Sequence, residues 1–408
     1  MSIDTVAATD LQTNFAPIPA CANPVRITEC CSWEELDHYR SDWVQLLADN
    51  PNLGIFCTPE WLGPWWHAYG YGRSLMALVF ADQHGETVGV APLYRERSGS
   101  AGFIKANILR LVGDGSGDSD DLDFVVRPGY EGAVAAAFLH WAERKPWHIC
   151  ELNCLSPRST VATHLLELLR IGGWKHVRRD RALVSVQLPE TWALFLKQLS
   201  SKERGKVGNR LRRLETRHQL TFHRCEQTGE LAEYLGTLFS LHQKRWESRA
   251  ERGSFSQPQR VQFYRGLCAL LTNRGWLELW TMKMDGMPVA AQIGLRYRNS
   301  VSSLQEGFDP DYSADSVGYV LRSHVLRSCI ASGINRYEFL AGDQDSKQRW
   351  GAEMGNYIDI RFAHPGCSGA AHFVASESLR SIKGWFRERL PQELWKKLQQ
   401  AKGKLVSN

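Results

Sequence analysis

Val301-Ser302-Ser303-Leu304-Gln305-Glu306-Gly307-Phe308-Asp309 reads as a strand that carries Glu306 and Asp309 toward its end. An apolar helix begins near Gly318. Arg336-Tyr337-Glu338-Phe339-Leu340 follows as a second short strand, leading through Gly342 to Lys347 and Trp350. Strand, glycine-containing loop, helix, strand is an order that seats a phosphorylated ligand beside a sheet. The first-turn N–H groups of the helix have no intrahelical acceptors and point at the incoming anion. Ser316, Val317, Gly318 and Tyr319 hold that position here.

Working outward, residues 317–332 have helical apolar spacing. Residues 276–283 turn through Asp285-Gly286 into 288–297, which turns again into 301–308. Long helices are expected at 231–249 and 258–273. In the first half, Thr58-Pro59 starts a helix, since threonine caps it and proline at the first position loses no internal bond. A hairpin at 75–82 and 88–93, strands at 107–112, 122–126, 149–155 and 182–188, and helices at 32–47, 129–143 and 160–171 complete an α/β unit. Each half runs from helices through a hairpin to a helix that precedes a late strand. The fold class expected is therefore α/β, with tandem domains, mixed central sheets and a reaction site near the seam. The divisions are a flexible segment at 1–27, domains at 28–188 and 189–365, and a helical, basic extension at 366–408.

The length of 408 residues suits two cores, and 43% hydrophobic with 23% charged residues suits a globular chain. The net charge of +5 is concentrated: residues 201–224 hold eight Lys or Arg against Glu203 and Glu215. Such a block attracts phosphates, an anionic membrane face or RNA. No nucleic-acid reading motif accompanies it, so nucleic acid is not an expected partner. Trp385, Leu394 and Trp395 among basic residues suit either a C-terminal helix packed on the protein with a basic tail or peripheral contact with an anionic membrane. The cysteines lack metal spacing, and no metal is expected. The start lacks a signal-peptide pattern and no stretch is long enough to span a bilayer. The expected location is cytoplasmic, with the inner membrane face left open.

Candidate chemistry starts with Glu306. Strand alternation puts it on a face with Leu304 and Phe308, where desolvation would raise its pKa toward that of a general base; the alternative is a satisfied structural carboxylate. His242 is the competing base. Trp246, four residues on, shares its helix face and makes a flat wall beside it. Trp61 and Trp65 read as rings of a groove for an apolar chain, or else as core. Asp120 and Asp121, in the glycine-rich acidic run at 113–121, read as a polar acceptor site or a solvated loop. Asp309, before Pro310, favours a turn that its own carboxylate holds.

A resemblance enters with several segments in order. They are Leu241-His242 with Arg245-Trp246, Gly275-Trp276-Leu277, Asp285-Gly286 with Pro288-Val289-Ala290-Ala291, Gly307-Phe308-Asp309-Pro310, and Lys347 with Trp350. Phe56 with Pro59-Glu60-Trp61 and Ala91-Pro92-Leu93-Tyr94 extend it into the first half. The chain resembles the CelD or BcsL-like acyltransferases of the Gcn5-related acetyltransferase superfamily, and is similar to the Fem peptidoglycan transferases. The resemblance implies acyl transfer to an amine or hydroxyl from acetyl-CoA or acyl-CoA, a donor substrate rather than a tightly bound cofactor. It implies that Lys347 holds phosphates near the transferred group. It also puts Glu338 where relatives carry aspartate, as an acceptor contact with Trp246, Asp309 and Trp350. The acceptor expected first is a lipid amine such as a sphingoid base. Polysaccharide O-acetylation, Fem-like aminoacyl transfer and a non-catalytic adaptor are the alternatives. Ala314-Asp315-Ser316-Val317-Gly318-Tyr319 keeps one glycine of the superfamily's phosphate loop, and Tyr319 crowds the second small position.

Overall fold

A computed structural model describes residues 24–100, 104–340 and 347–389. The expectations placed on 1–23, on the loop 341–346 and on the basic, aromatic tail 390–408 lie outside the described residues. Arg26 and Ile27, read from sequence as part of the flexible start, open a strand instead.

The strands are β1 (Arg26–Cys30), β2 (Ser74–Leu75), β3 (Ala77–Ala81), β4 (Thr87–Ala91), β5 (Leu93–Ser100), β6 (Ile104–Leu111), β7 (Val125–Val126), β8 (Ile149–Leu155), β9 (His176–Gln187), β10 (Leu220–Arg224), β11 (Leu277–Met284), β12 (Met287–Tyr297), β13 (Ser300–Phe308), β14 (Arg336–Glu338) and β15 (Glu353–Ala363). The α-helices are α1 (Trp33–Asp37), α2 (Arg40–Asp49), α3 (Pro59–Tyr69), α4 (Glu131–Ala142), α5 (Thr160–Ile171), α6 (Trp192–Gln198), α7 (Ser201–Glu215), α8 (Leu231–Glu247), α9 (Pro258–Asn273), α10 (Val317–Ala331) and α11 (Cys367–Arg389). The single helix expected at 32–47 is broken between α1 and α2.

The same unit occurs twice. In the first half, β5 and β6 are antiparallel and β6 reaches its parallel neighbour β8 across α4; in the second, β12, β13, α10 and β14 repeat this. Crossovers of this type put a helix over the sheet. The tandem α/β fold with mixed sheets is therefore present. The halves also trade strands. β15, from the end of the described chain, inserts between β8 and β9, and the last three residues of β9 pair with β14. One eleven-stranded sheet results, in the order β10-β11-β12-β13-β14-β9-β15-β8-β6-β5-β2, beside a four-stranded sheet β1-β3-β4-β7.

Local chemistry explains the main elements. The Thr58 hydroxyl accepts from the Trp61 N–H and Pro59 opens α3, as the sequence implies. Asp285 and Gly286 both take positive φ, the geometry a two-residue hairpin turn requires between β11 and β12. Gly307 has no substitute: a Cβ there would stand 2.3 Å from the His242 backbone nitrogen, so α8 rests directly on β13. Trp61 and Trp65 are both 0% exposed and belong to a core that spans both halves, Trp61 lying edge-on to Phe263 of α9. Their indole N–H groups donate to Ser119 (2.9 Å) and Ser116 (2.8 Å). Neither lines a groove. The acidic run is likewise folded inward: Asp118 and Asp121 are buried, and Asp118 meets Arg260 of α9. Among the described residues no helix is long and apolar enough to cross a membrane.

Candidate functional site

β13 and β14 pair only over Ser300–Ser302 and Arg336–Glu338. Beyond that point β14 ends, and the Phe339 N–H turns to Val184 of β9. β13 runs on to Phe308, and among the described residues one edge of 303–308 has no strand partner. A β-bulge interrupts the β12–β13 register between Ser303 and Gln305, so Leu304 is the extra residue. Bulges re-aim side chains and backbone groups and are common beside active sites. Here the bulge borders a cleft of about 530 Å³ whose described lining residues all lie between His242 and Trp350. The cleft is thus within the second half, not at the seam.

Its charge is one-sided. Arg245, Arg249, Arg322, Lys347 and Arg349 line it, against Glu306 as the only carboxylate among the described lining residues. Glu306 accepts from Arg245 (3.0 Å) and is also paired with Arg322 of α10. Burial alone would raise this carboxyl, but the Arg322 and Arg245 guanidiniums outweigh it and hold the group below the usual carboxylate range. The raised pKa expected from alternation is therefore wrong, because two cations share the face on which only apolar neighbours were read.

His242 is 1% exposed. Its Nε2 lies 2.9 Å from the Trp246 indole nitrogen. An indole N–H can only donate, so Nε2 must accept and the neutral ring carries its proton on Nδ1. Burial, with Arg245 next, pushes the imidazole down to about 4. The lone pair a base would use is already engaged. His242 and Trp246 do share the helix face predicted, as a packed pair.

Ser316 takes a left-handed conformation (φ 59°) between the turn at Pro310–Asp315 and α10. Asp309 caps that turn through the Asp311 N–H and receives Lys244 (2.9 Å), so it is held in the turn geometry. Val317 and Gly318, the first residues of α10, line the cleft, and first-turn N–H groups have no intrahelical acceptors. Tyr319 stacks on Trp350, centroids 4.4 Å apart, and Arg210 of α7 lies 4.4 Å over the Tyr319 ring. Lys347 Nζ donates to the Leu340 carbonyl at 2.9 Å, at the far wall.

Besides Trp61 and Trp65, four residues expected at the site are not among those lining the cleft: Asp309, Glu338, Asp120 and Asp121. Glu338 accepts from Ser302 (3.0 Å) and pairs with Arg336 in a separate cavity of about 180 Å³ that also meets Asp121. Burial, followed by the charge of Glu338, pushes Asp121 up to about 7. Asp120 does not line the main cleft either. Arg245, Arg249 and Arg322 were missed as site residues. The i, i+4 spacing of Arg245 and Arg249 within the helix expected at 231–249 was the available signal, although Arg249 lies just past the end of α8.

A family model described as an acetyltransferase (GNAT) domain matches residues 201–348, from the start of α7 to Gln348. The solved structure of FemX superposes with a TM-score of 0.57 at 12% identity, covering 80% of this chain and 95% of that one. A conserved protein of unknown function from Bacteroides thetaiotaomicron VPI-5482 gives 0.52 at 11% identity, covering 83% and 100%. The chain carries the Gcn5-related acetyltransferase fold. No curated protein matches it significantly. The opening between β13 and β14 and the start of α10 both fall within the residues that the family model matches. The finer CelD or BcsL-like resemblance rests on the sequence segments alone.

Proposed function

We propose that the protein transfers an acyl group from a phosphate-bearing carrier to an amine, by direct attack and without a covalent enzyme intermediate. The observation that carries this reading is the cleft where β13 and β14 part, with five cations around one carboxylate and a helix start at its mouth. Arg249, Arg349 and Lys347 would hold carrier phosphates, and Arg322 and Arg245, braced by Glu306, would fix their geometry. Neither Glu306 nor His242 has the free lone pair and near-neutral pKa of a general base. The amine therefore attacks the carbonyl in its neutral form, the carrier's C–O or C–S bond breaks, and the amine's proton ends on the departing oxygen or sulfur. Lys347 and the open β13 edge are the candidates to meet the developing oxyanion.

An aminoacyl ester of a nucleic acid is the favoured carrier. Tyr319, stacked on Trp350 and overlain by Arg210, fills the second small position of the phosphate loop, which argues against ordinary coenzyme A seating. Arg213 of α7 also reaches the Ala314 carbonyl, so the basic helix borders the cleft mouth. This makes nucleic acid, unexpected from motifs alone, the first partner to test. Acyl-CoA is the second reading, favoured by Gly318 at the start of α10. A lipid-amine acceptor loses its main support, because Trp61 and Trp65 are core.

Calorimetry with aminoacyl-tRNA, acetyl-CoA, palmitoyl-CoA and free coenzyme A, followed by transfer assays to amine acceptors, tests the reading. Binding and transfer from aminoacyl-tRNA, with the coenzyme A compounds weak, is the expected result. Binding of none of them would return the cleft to a non-catalytic role, and preferential transfer from acetyl-CoA would establish the second reading.

A further inference from the structure

A second large polar cavity, of about 510 Å³, lies on the sheet face formed by β6, β8, β15 and β9, beside α11. Its floor is Glu151 of β8 with Arg110 and Arg361. Glu151 accepts from Arg110 (2.6 Å), Arg361 (2.8 Å) and Arg380 of α11 (2.7 Å), so three guanidiniums converge on one carboxylate. Arg361 and Glu151 side chains are 4% and 3% exposed, which makes this a built platform and not a surface scatter. Arg179, Arg181 and Arg380 stand at the mouth with side chains 42%, 47% and 46% exposed.

The five arginines meet five carboxylates: Glu151 takes three of them, Asp359 pairs with Arg181 (2.9 Å) and also accepts from the Cys154 N–H, and Glu377 is shared by Arg179, Arg361 and Arg380. Glu96 and Asp114 reach Arg110 from its far side and are themselves shared with Arg73 and Asn153. The Arg380 guanidinium is pushed down in pKa by burial, and then by Arg361 and Arg179, despite Glu151. Guanidinium forks at a half-open mouth, above a buried cationic floor, match the oxygens of a phosphoryl group held by two parallel N–H bonds. The volume lies within the range of small-molecule sites.

We infer that this arginine pocket is a second binding site, separate from the cleft, for a phosphomonoester or diphosphate, with Arg179, Arg181 and Arg380 as its ligand-contacting arms. The phosphoryl group comes either from a soluble metabolite or from a lipid headgroup. The test is calorimetry of the full chain with inorganic pyrophosphate, comparing the natural sequence with an Arg181→Gln/Arg380→Gln variant and with Arg322→Gln in the cleft. Glu151 keeps Arg110 and Arg361 in the first variant, so the fold should persist; Arg181→Gln alone, at an exposed arm, serves if it does not. The pocket variant should lose one binding event, or weaken it by about 10-fold or more, the range expected for lost charge-assisted hydrogen bonds. That event should be unchanged in Arg322→Gln. Recruitment to phosphatidic acid vesicles over phosphatidylcholine, lost in the pocket variant, would identify a lipid source; pyrophosphate binding without recruitment would identify a soluble one. A pyrophosphate isotherm of either pocket variant that superimposes on that of the natural sequence would overturn the inference.

Discussion

Arg260 is the natural place to measure how the second half holds the first. It extends from α9 into the loop 113–121, where its Nε and Nη2 donate to the two Asp118 oxygens at 3.0 and 2.9 Å, and Nη2 also donates to the Ser116 carbonyl at 2.8 Å. Tyr264 (3.2 Å) and Tyr69 (3.3 Å) complete the shell around a carboxylate whose side chain is fully buried. Replacing Arg260 by methionine keeps most of the stem volume and removes the charge. Breaking a buried pair from one side costs about 3–5 kcal/mol, mostly the penalty of the charge left behind. The two tyrosine hydroxyls remain, so the lower part of that range is expected. The cost should depend on pH. Burial already raises the Asp118 carboxyl above its ordinary value, with Arg260 the main opposing influence. Without Arg260 the folded-state pKa climbs further. A raised carboxyl contributes stability that is full below the unfolded value, near 3.8, and is lost as pH rises through the folded value. Urea unfolding should therefore show a larger deficit for Arg260→Met at pH 8 than at pH 5. Adding Asp118→Asn should recover at least half of it. A deficit under about 1 kcal/mol, or one equal at both pH values, would refute the idea that a buried charge is being stranded.

Three further outcomes are expected. Neither Glu306→Gln nor His242→Gln should remove an acidic limb from the pH–rate profile above pH 6, since the carboxyl is held below its usual range and the imidazole near 4; a limb that vanishes in either variant would make that residue a base after all. Gly318→Asp places a Cβ 3.3 Å from the Phe308 ring and a negative charge at the start of α10, and should weaken binding of any phosphate-bearing carrier by about 10-fold or more, read by calorimetry with the fold checked by circular dichroism. Gly307→Ala drives a methyl into the backbone of α8 at His242 and should destabilise the chain by at least about 1–3 kcal/mol, visible as a lowered urea midpoint; an unchanged midpoint would mean that α8 can slide away without cost.

Much of the second half was legible because its signals are local. The spacing of apolar residues in α9 and α10, the Asp285-Gly286 turn and the order of β13, α10 and β14 are written within short windows. β15 was not legible. Asp359 and Arg361 look like the solvent side of a strand, yet they meet Arg181 and Glu151 about two hundred residues away, where opposite charges satisfy them. The tryptophan reading failed for a related reason. Polar neighbours in sequence suggested a wet groove, whereas the hydroxyls that satisfy Trp61 and Trp65 come from the loop 113–121. The bulge at Leu304 leaves no mark in composition, and the two arginines flanking Glu306 come from α8 and α10, so its electrostatics could be read only after folding.

The strand exchange has a consequence for synthesis. β8 can acquire its β15 neighbour only after roughly two hundred more residues have been added, about 10–40 s at ordinary translation rates. Through that interval the first half leaves the ribosome with a buried-type sheet edge open, the kind of surface that recruits other strands. The nascent chain must be shielded, or must rest in a loosened form, until its final strand arrives. Any message cut short before Glu353 would then yield not one good domain but a product with a permanently unfinished sheet.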